Sequence, residues 1–139
     1  MKKISIVIPF FNEEPGIKFF FNSLLEELKK IRGYSFELVL IDDGSEDNSL
    51  QSLIQLKGSE FITLKVIELS KNFGKESALT AGMHNSKGDA VIFMDSDLEH
   101  PPQVINLMIN KWEEGYDVVL GKRSSRVNEK LFKRFAVRI

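Results

Sequence analysis

Five apolar, β-rich runs, Ile4 to Ile8, Phe36 to Ile41, Leu64 to Leu69, Ala90 to Met94 and Asp117 to Leu120, recur along the chain with segments of helical spacing between them. Most of the runs are nearly continuous in apolar residues, the pattern of strands covered on both faces. Strands joined by helices close as right-handed crossovers, so the alternation predicts an α/β, Rossmann-like fold with a mostly parallel sheet flanked by helices. The first helical segment sets Ile17, Phe20, Phe21, Leu24, Leu25, Leu28 and Ile31 on one stripe, with Pro15 suited to its first turn. A second helix is expected after Ser45 to Asp47, burying Leu50, Leu53 and Ile54. A third runs from about Gly74 to Ser86, where Ala78, Ala81 and Gly82 allow close approach to the sheet. A fourth follows Pro101 and Pro102 and uses Val104, Leu107, Met108 and Trp112.

Sheets of this kind bind ligands beyond the carboxyl ends of their strands. Here every such end is polar: "PFFNEE", "DDGSEDNS", "SKNFGKES", "DSDLEHPP" and "GKRSSR". Pro9 stands where a dinucleotide fingerprint would need glycines, and no P-loop is present. A receiver-like phosphoacceptor site is disfavoured as well, because Pro9 and Phe10 occupy the place of its acidic pair. With no cysteine, the chain has neither a disulfide framework nor a thiolate metal site. The apolar run before Pro9 is too short for a signal peptide, and nothing approaches a membrane span. At 139 residues the chain has the size of one domain, and also of half a larger enzyme.

Asp95 and Asp97 are the sharpest feature of these ends. In extended backbone, residues i and i+2 point the same way, so the two carboxylates could share one partner while Ser96 points elsewhere. Carboxylates that close repel each other unless a cation neutralises them. Mg²⁺ or Mn²⁺, which keep positions open for phosphate oxygens, suit the pair; a solvated turn capping the next helix is the alternative. Asp42 and Asp43, with Gly44 giving a tight turn, could reach a nucleobase or ribose, or form a turn and cap at Ser45. Asn72, Gly74 and Lys75 open a helix, where backbone N–H groups and a lysine favour an anion such as a diphosphate. Glu13 and Glu14 suit either a nucleotide or the helix dipole, and Glu14 is read as the latter. Neither His84 nor His100 has a second ligand at metal spacing.

Together "ISIVIPFFNEE", "LVLIDDGSEDNS", "KNFGKESALTAGMHNSKGDAVIFMDSDLEHPP" and "VVLGKRSSR" resemble the family 2 glycosyltransferases of the GT-A fold, and within them the dolichyl-phosphate mannose synthase and bactoprenol glucosyltransferase branch. The resemblance runs from Lys3 to about Arg126 and implies a GT-A domain over 1–126, the N-terminal part of a longer catalytic protein. It implies that Pro9, Asn12 and Glu13 border the nucleotide, with Asp42 near the base and Asp43 near the base or ribose. Asn72, Gly74 and Lys75 would line the sugar-nucleotide cleft. Asp95, Ser96 and Asp97 would form the Asp-x-Asp motif whose carboxylates hold the metal on the donor diphosphate, and Arg123 and Arg126 would supply a basic strand end. Glu99 and His100 depart from the branch, which often reads Gln after the Asp-x-Asp leucine.

The activity implied is transfer of a hexose-type sugar from a UDP- or GDP-sugar, with inversion, to a polyprenyl phosphate or else to a saccharide hydroxyl. A hydroxyl needs a general base, whereas a phosphate is already an anion. A non-catalytic nucleotide-sugar-binding module is the competing reading. From Lys122 to Ile139 the chain carries seven Lys or Arg against one Glu. Residues 127–139 are expected to form a basic amphipathic helix, lying on an anionic membrane surface or covering a missing partner, and able to pair with another copy. The expected location is the cytoplasm, at the cytoplasmic face of a membrane, with no nucleic-acid partner.

Overall fold

The computed structural model describes residues 1–97, 101–123 and 132–137, of which 121–123 and 132–137 are described by their backbone. The chain divides into two units, Met1–Leu98 and Glu99–Ile139.

In the first unit β1 (Lys2–Phe10) and β2 (Tyr34–Asp42) pair in parallel at the centre of a four-stranded sheet. β3 (Ile62–Glu68) flanks β2 and β4 (Ala90–Phe93) flanks β1, both parallel, giving the order β3-β2-β1-β4. Side chains alternate across a strand, so Ile4, Ile6, Ile8 and Phe10 share one face and Val7 takes the other. Helix α1 (Glu14–Lys29) covers the first face with Ile17, Phe20, Phe21, Leu24 and Leu28 buried, and the Phe20 ring meets Phe10 edge-on at 6.0 Å. Each such buried side chain contributes roughly 1.5–3 kcal/mol of transfer free energy, which is what holds this helix on the sheet.

Helix α3 (Lys75–His84) covers the opposite face, where Val7, Val39, Ile41 and Ala78 form a core. Gly82 makes the close approach possible: a Cβ there would lie 2.3 Å from Val7 Cγ1 and 2.7 Å from Ile41 Cδ1. Helix α2 (Ser49–Ile54) is shorter than expected and buries Ser49 and Leu53, leaving Ile54 63% exposed. A helix of less than two turns can turn few positions inward, so the expected three-residue stripe is not realised.

At the amino end of the sheet Glu37 and Ser5 are buried polar residues. The Ser5 hydroxyl donates to Glu37 at 2.6 Å, the Lys87 N–H donates to the same carboxylate at 2.9 Å, and Lys65 pairs with it at 3.3 Å. Burial raises the Glu37 pKa, but these donors outweigh it and hold the carboxyl below its ordinary value. The cluster ties the α3–β4 turn to β1 and β2 and so sets the height at which β4 enters the sheet.

The second unit contains α4 (Val104–Glu113), β5 (Val118–Arg123) and β6 (Phe132–Val137). Helix α4 buries Ile105 and Ile109, while Leu107, expected inside, is 40% exposed; the inward stripe is displaced by one position. The helix expected over 127–139 is not found where the chain is described. Residues 132–137 form a strand antiparallel to β5, from Val118↔Val137 to Arg123↔Phe132. Phenylalanine and valine favour strands, and β5 offers a backbone to pair with. Residues 127–131 and 138–139 lie outside the described residues.

Candidate functional site

All four strands of the first unit run in parallel, so their carboxyl ends lie on one edge. The β1–β4 ladder stops at Val7 and Phe93, closed by the Met94 N–H on the Val7 carbonyl at 3.0 Å. Pro9, which has no N–H, cannot extend that ladder, and β1 and β4 separate there.

The loop after β1 is laced to the loop after β2. Asn12 adopts a left-handed backbone conformation with φ 51°. Its side-chain oxygen accepts the N–H of Glu46 at 2.8 Å and of Asp47 at 3.4 Å, while its own N–H donates to Ser45 Oγ at 2.9 Å. The Glu13 N–H donates to Ser49 Oγ at 2.9 Å, and the Glu14 N–H to Asp47 at 3.3 Å. Asn12 was expected to border a ligand; in the structure its polar side chain shapes the loop. Ser45 was read from the sequence as a turn and cap, but the part that Ser45, Asp47 and Ser49 play in holding the β1 loop was not, although the run of short polar side chains in "GSEDNS" is the signal that could have found it.

The aspartates ending β2 have separate jobs. Asp42 is buried; its Oδ2 accepts the Ser45 N–H at 3.2 Å, and its Oδ1 is a buried acceptor without a hydrogen-bond partner among the described residues. Such an atom costs on the order of 1–3 kcal/mol unless something donates to it. Asp43 is 4% exposed, and its two oxygens accept the N–H groups of Phe73 at 2.9 Å and Gly74 at 3.1 Å. Gly74, expected to turn its N–H toward an anion, therefore turns it onto Asp43. Gly44, at φ +71°, lies against the backbone of Lys71 and Asn72, leaving no room for a Cβ. Asn72 itself is exposed.

Helix α3 opens with Lys75, whose ammonium pairs with the Asp95 carboxylate. Ser96 and Asp97 follow in a turn, so the extended i, i+2 arrangement expected for Asp95 and Asp97 is not what the backbone adopts. Asp97 lies close enough to Glu13 to matter electrically. Burial first, then the charges of Asp97 and Asp47, raise the Glu13 pKa above its usual value. The edge thus carries a surplus of negative charge beside Lys75. Among the described residues no group of three His, Cys, Asp or Glu could hold a metal ion by protein ligands alone. Two aspartates fit a hard divalent ion that completes its shell with phosphate oxygens and water. Arg123 ends β5 in the second unit, and Glu99, His100 and Arg126 lie outside the described residues.

Fold and site define an α/β domain with an acidic, lysine-flanked site at the carboxyl ends of a parallel sheet. The sequence pattern of glycosyl transferase family 2 matches residues 5–138, and the chain belongs to that family. It is 42% identical over 132 residues to the bactoprenol glucosyl transferase of Shigella phage SfX, covering 95% of this chain and 43% of that one. It is 37% identical over 139 residues to the undecaprenyl-phosphate 4-deoxy-4-formamido-L-arabinose transferase of Photorhabdus laumondii, covering 100% of this chain and 42% of the relative. The chain therefore spans about two fifths of the length of these curated relatives. Among solved structures, S. aureus TarS residues 1–349 superposes with a TM-score of 0.66 at 28% identity, over 90% of this chain and 36% of that 1–349 chain. Glucosyl-3-phosphoglycerate synthase of Mycobacterium tuberculosis, in complex with Mn²⁺, UDP and phosphoglyceric acid, gives 0.65 at 26% identity, over 92% and 46%. The fold is that of the GT-A glycosyltransferases.

Proposed function

We propose that this chain is the donor-binding part of a metal-dependent, inverting glycosyltransferase that moves a hexose-type sugar from a nucleotide diphosphate sugar to a polyprenyl phosphate. The observation that carries the reading is the buried Oδ1 of Asp42, without a hydrogen-bond partner among the described residues, on the same edge as Asp95, Asp97 and Lys75. A buried carboxylate oxygen suits the ring N–H of uracil or guanine, and the UDP bound by a solved neighbour favours uracil. Pro9 and Glu13 would line the nucleotide beside it.

Asp95 and Asp97 would hold Mg²⁺ or Mn²⁺, whose chemistry is to neutralise the diphosphate and make it a better leaving group. Lys75 would move from Asp95 toward the diphosphate and stabilise the charge that grows there as the glycosidic bond breaks. A phosphate acceptor attacks as an anion, so the chain would need no general base for it. The names of the two curated relatives favour that acceptor over a saccharide hydroxyl.

The test is a radiolabelled transfer assay with UDP- and GDP-sugars, offering undecaprenyl phosphate or an oligosaccharide. Lipid-linked product supports the proposal and saccharide-linked product replaces its acceptor. Donor binding without product would leave the chain a nucleotide-sugar-binding module.

A further inference from the structure

Asp43 is fixed from both sides. Its own N–H donates to the Phe10 carbonyl at 2.8 Å, and its carboxylate accepts the Phe73 and Gly74 N–H groups. With both oxygens engaged by backbone N–H groups, it offers little to a base or ribose. The residue after this two-pronged clamp is Lys75, which opens α3 and meets Asp95. Gly44 presses on the same segment one step earlier, at Lys71 and Asn72. A continuous set of contacts thus leads from the end of β2, across the 71–75 segment, to the carboxylate at the end of β4.

We propose that Asp43 is a positioning residue for the donor diphosphate: it holds the Phe73–Gly74 backbone so that Lys75 is presented beside Asp95. This rests on the donor reading above and replaces the nucleoside contact expected of Asp43. The sign of its effect separates it from simple charge. Removing a carboxylate near an anion site should tighten anion binding, whereas loss of a positioning residue should weaken it.

The test compares UMP and UDP binding by calorimetry, with Mn²⁺, in the wild type, Asp43→Asn, Lys75→Ala and the double variant. Asparagine keeps the shape but sets an amide group against one of the two N–H donors. UDP affinity should fall roughly tenfold, the scale of one lost charge-assisted contact, with UMP affinity unchanged and the double variant no weaker than Lys75→Ala. Gly44→Ala, which displaces the same segment, should give the same loss for UDP alone. Equal losses for UMP and UDP, additive losses in the double variant, or tighter UDP binding would overturn the proposal.

A second arm needs no nucleotide. The acylation rate of the Lys75 amine, read by peptide mapping, should rise in Asp43→Asn as it should in the control Asp95→Asn, and a rate that rises in the control but not in Asp43→Asn would overturn the proposal. If the wild type bound neither UMP nor UDP, the donor reading would fail while this arm still decided the role of Asp43.

Discussion

Asp42 and Asp43 are adjacent and chemically identical, yet among the described residues one keeps a buried oxygen without a donor and the other spends both on backbone N–H groups. Asp42→Asn should therefore weaken UMP and UDP alike, by roughly ten- to a hundredfold, while the melting temperature stays close to wild type; calorimetry beside a thermal melt checks both. The sequence made this edge legible as an acidic site. It could not tell the two aspartates apart, because that depends on where the N–H groups of a segment about thirty positions away point. The same limit explains Gly74, whose residue type was informative while the direction of its N–H was not.

Glu37 gives a residue-scale prediction of a different kind. Its folded pKa is depressed, so the unfolded chain takes up the proton first as pH falls. Its stabilisation is present above the unfolded value near 4.5 and is lost as pH drops through the lower folded value. Glu37→Gln should lower the melting temperature at neutral pH, by a loss of about 1–3 kcal/mol, and the gap to wild type should narrow as pH falls from 4.5 through the lower folded value. A gap that stays constant down to the acid transition would show that the charge does not matter.

At the scale of elements, the central strands were readable because β1 and β2 are buried on both faces and so carry nearly unbroken apolar runs. Helix α1 was readable because sixteen residues give its stripe enough turns to stand out. Short elements were not. Helix α2 shows few inward positions, the stripe of α4 is displaced, and Phe132–Val137 fits helical spacing yet pairs as a strand. Spacing alone cannot choose between the two in a run of six residues, and a waiting partner strand decides it. Gly82 was read correctly as a point of close approach. Gly82→Ala should force α3 off the sheet, costing about 1–3 kcal/mol as overpacking does, and should also weaken UDP binding because α3 carries Lys75. A urea melt and a UDP titration on the same variant would show the two losses together.

For the whole molecule, four parallel strand ends bring the segments that follow them, and the Lys75–Asp95 ion pair, to a single edge of the Met1–Leu98 unit. No helix among the described residues is long and apolar enough to cross a membrane. The central claim is that this edge binds a nucleoside diphosphate through an ion held by Asp95 and Asp97. The direct measurement is calorimetric titration of UDP and GDP into the chain with Mn²⁺, with EDTA, and into Asp97→Ala with Mn²⁺. Saturable binding of one nucleotide with Mn²⁺, lost in EDTA and in Asp97→Ala, is the predicted result. Binding of equal strength under all three conditions would contradict it.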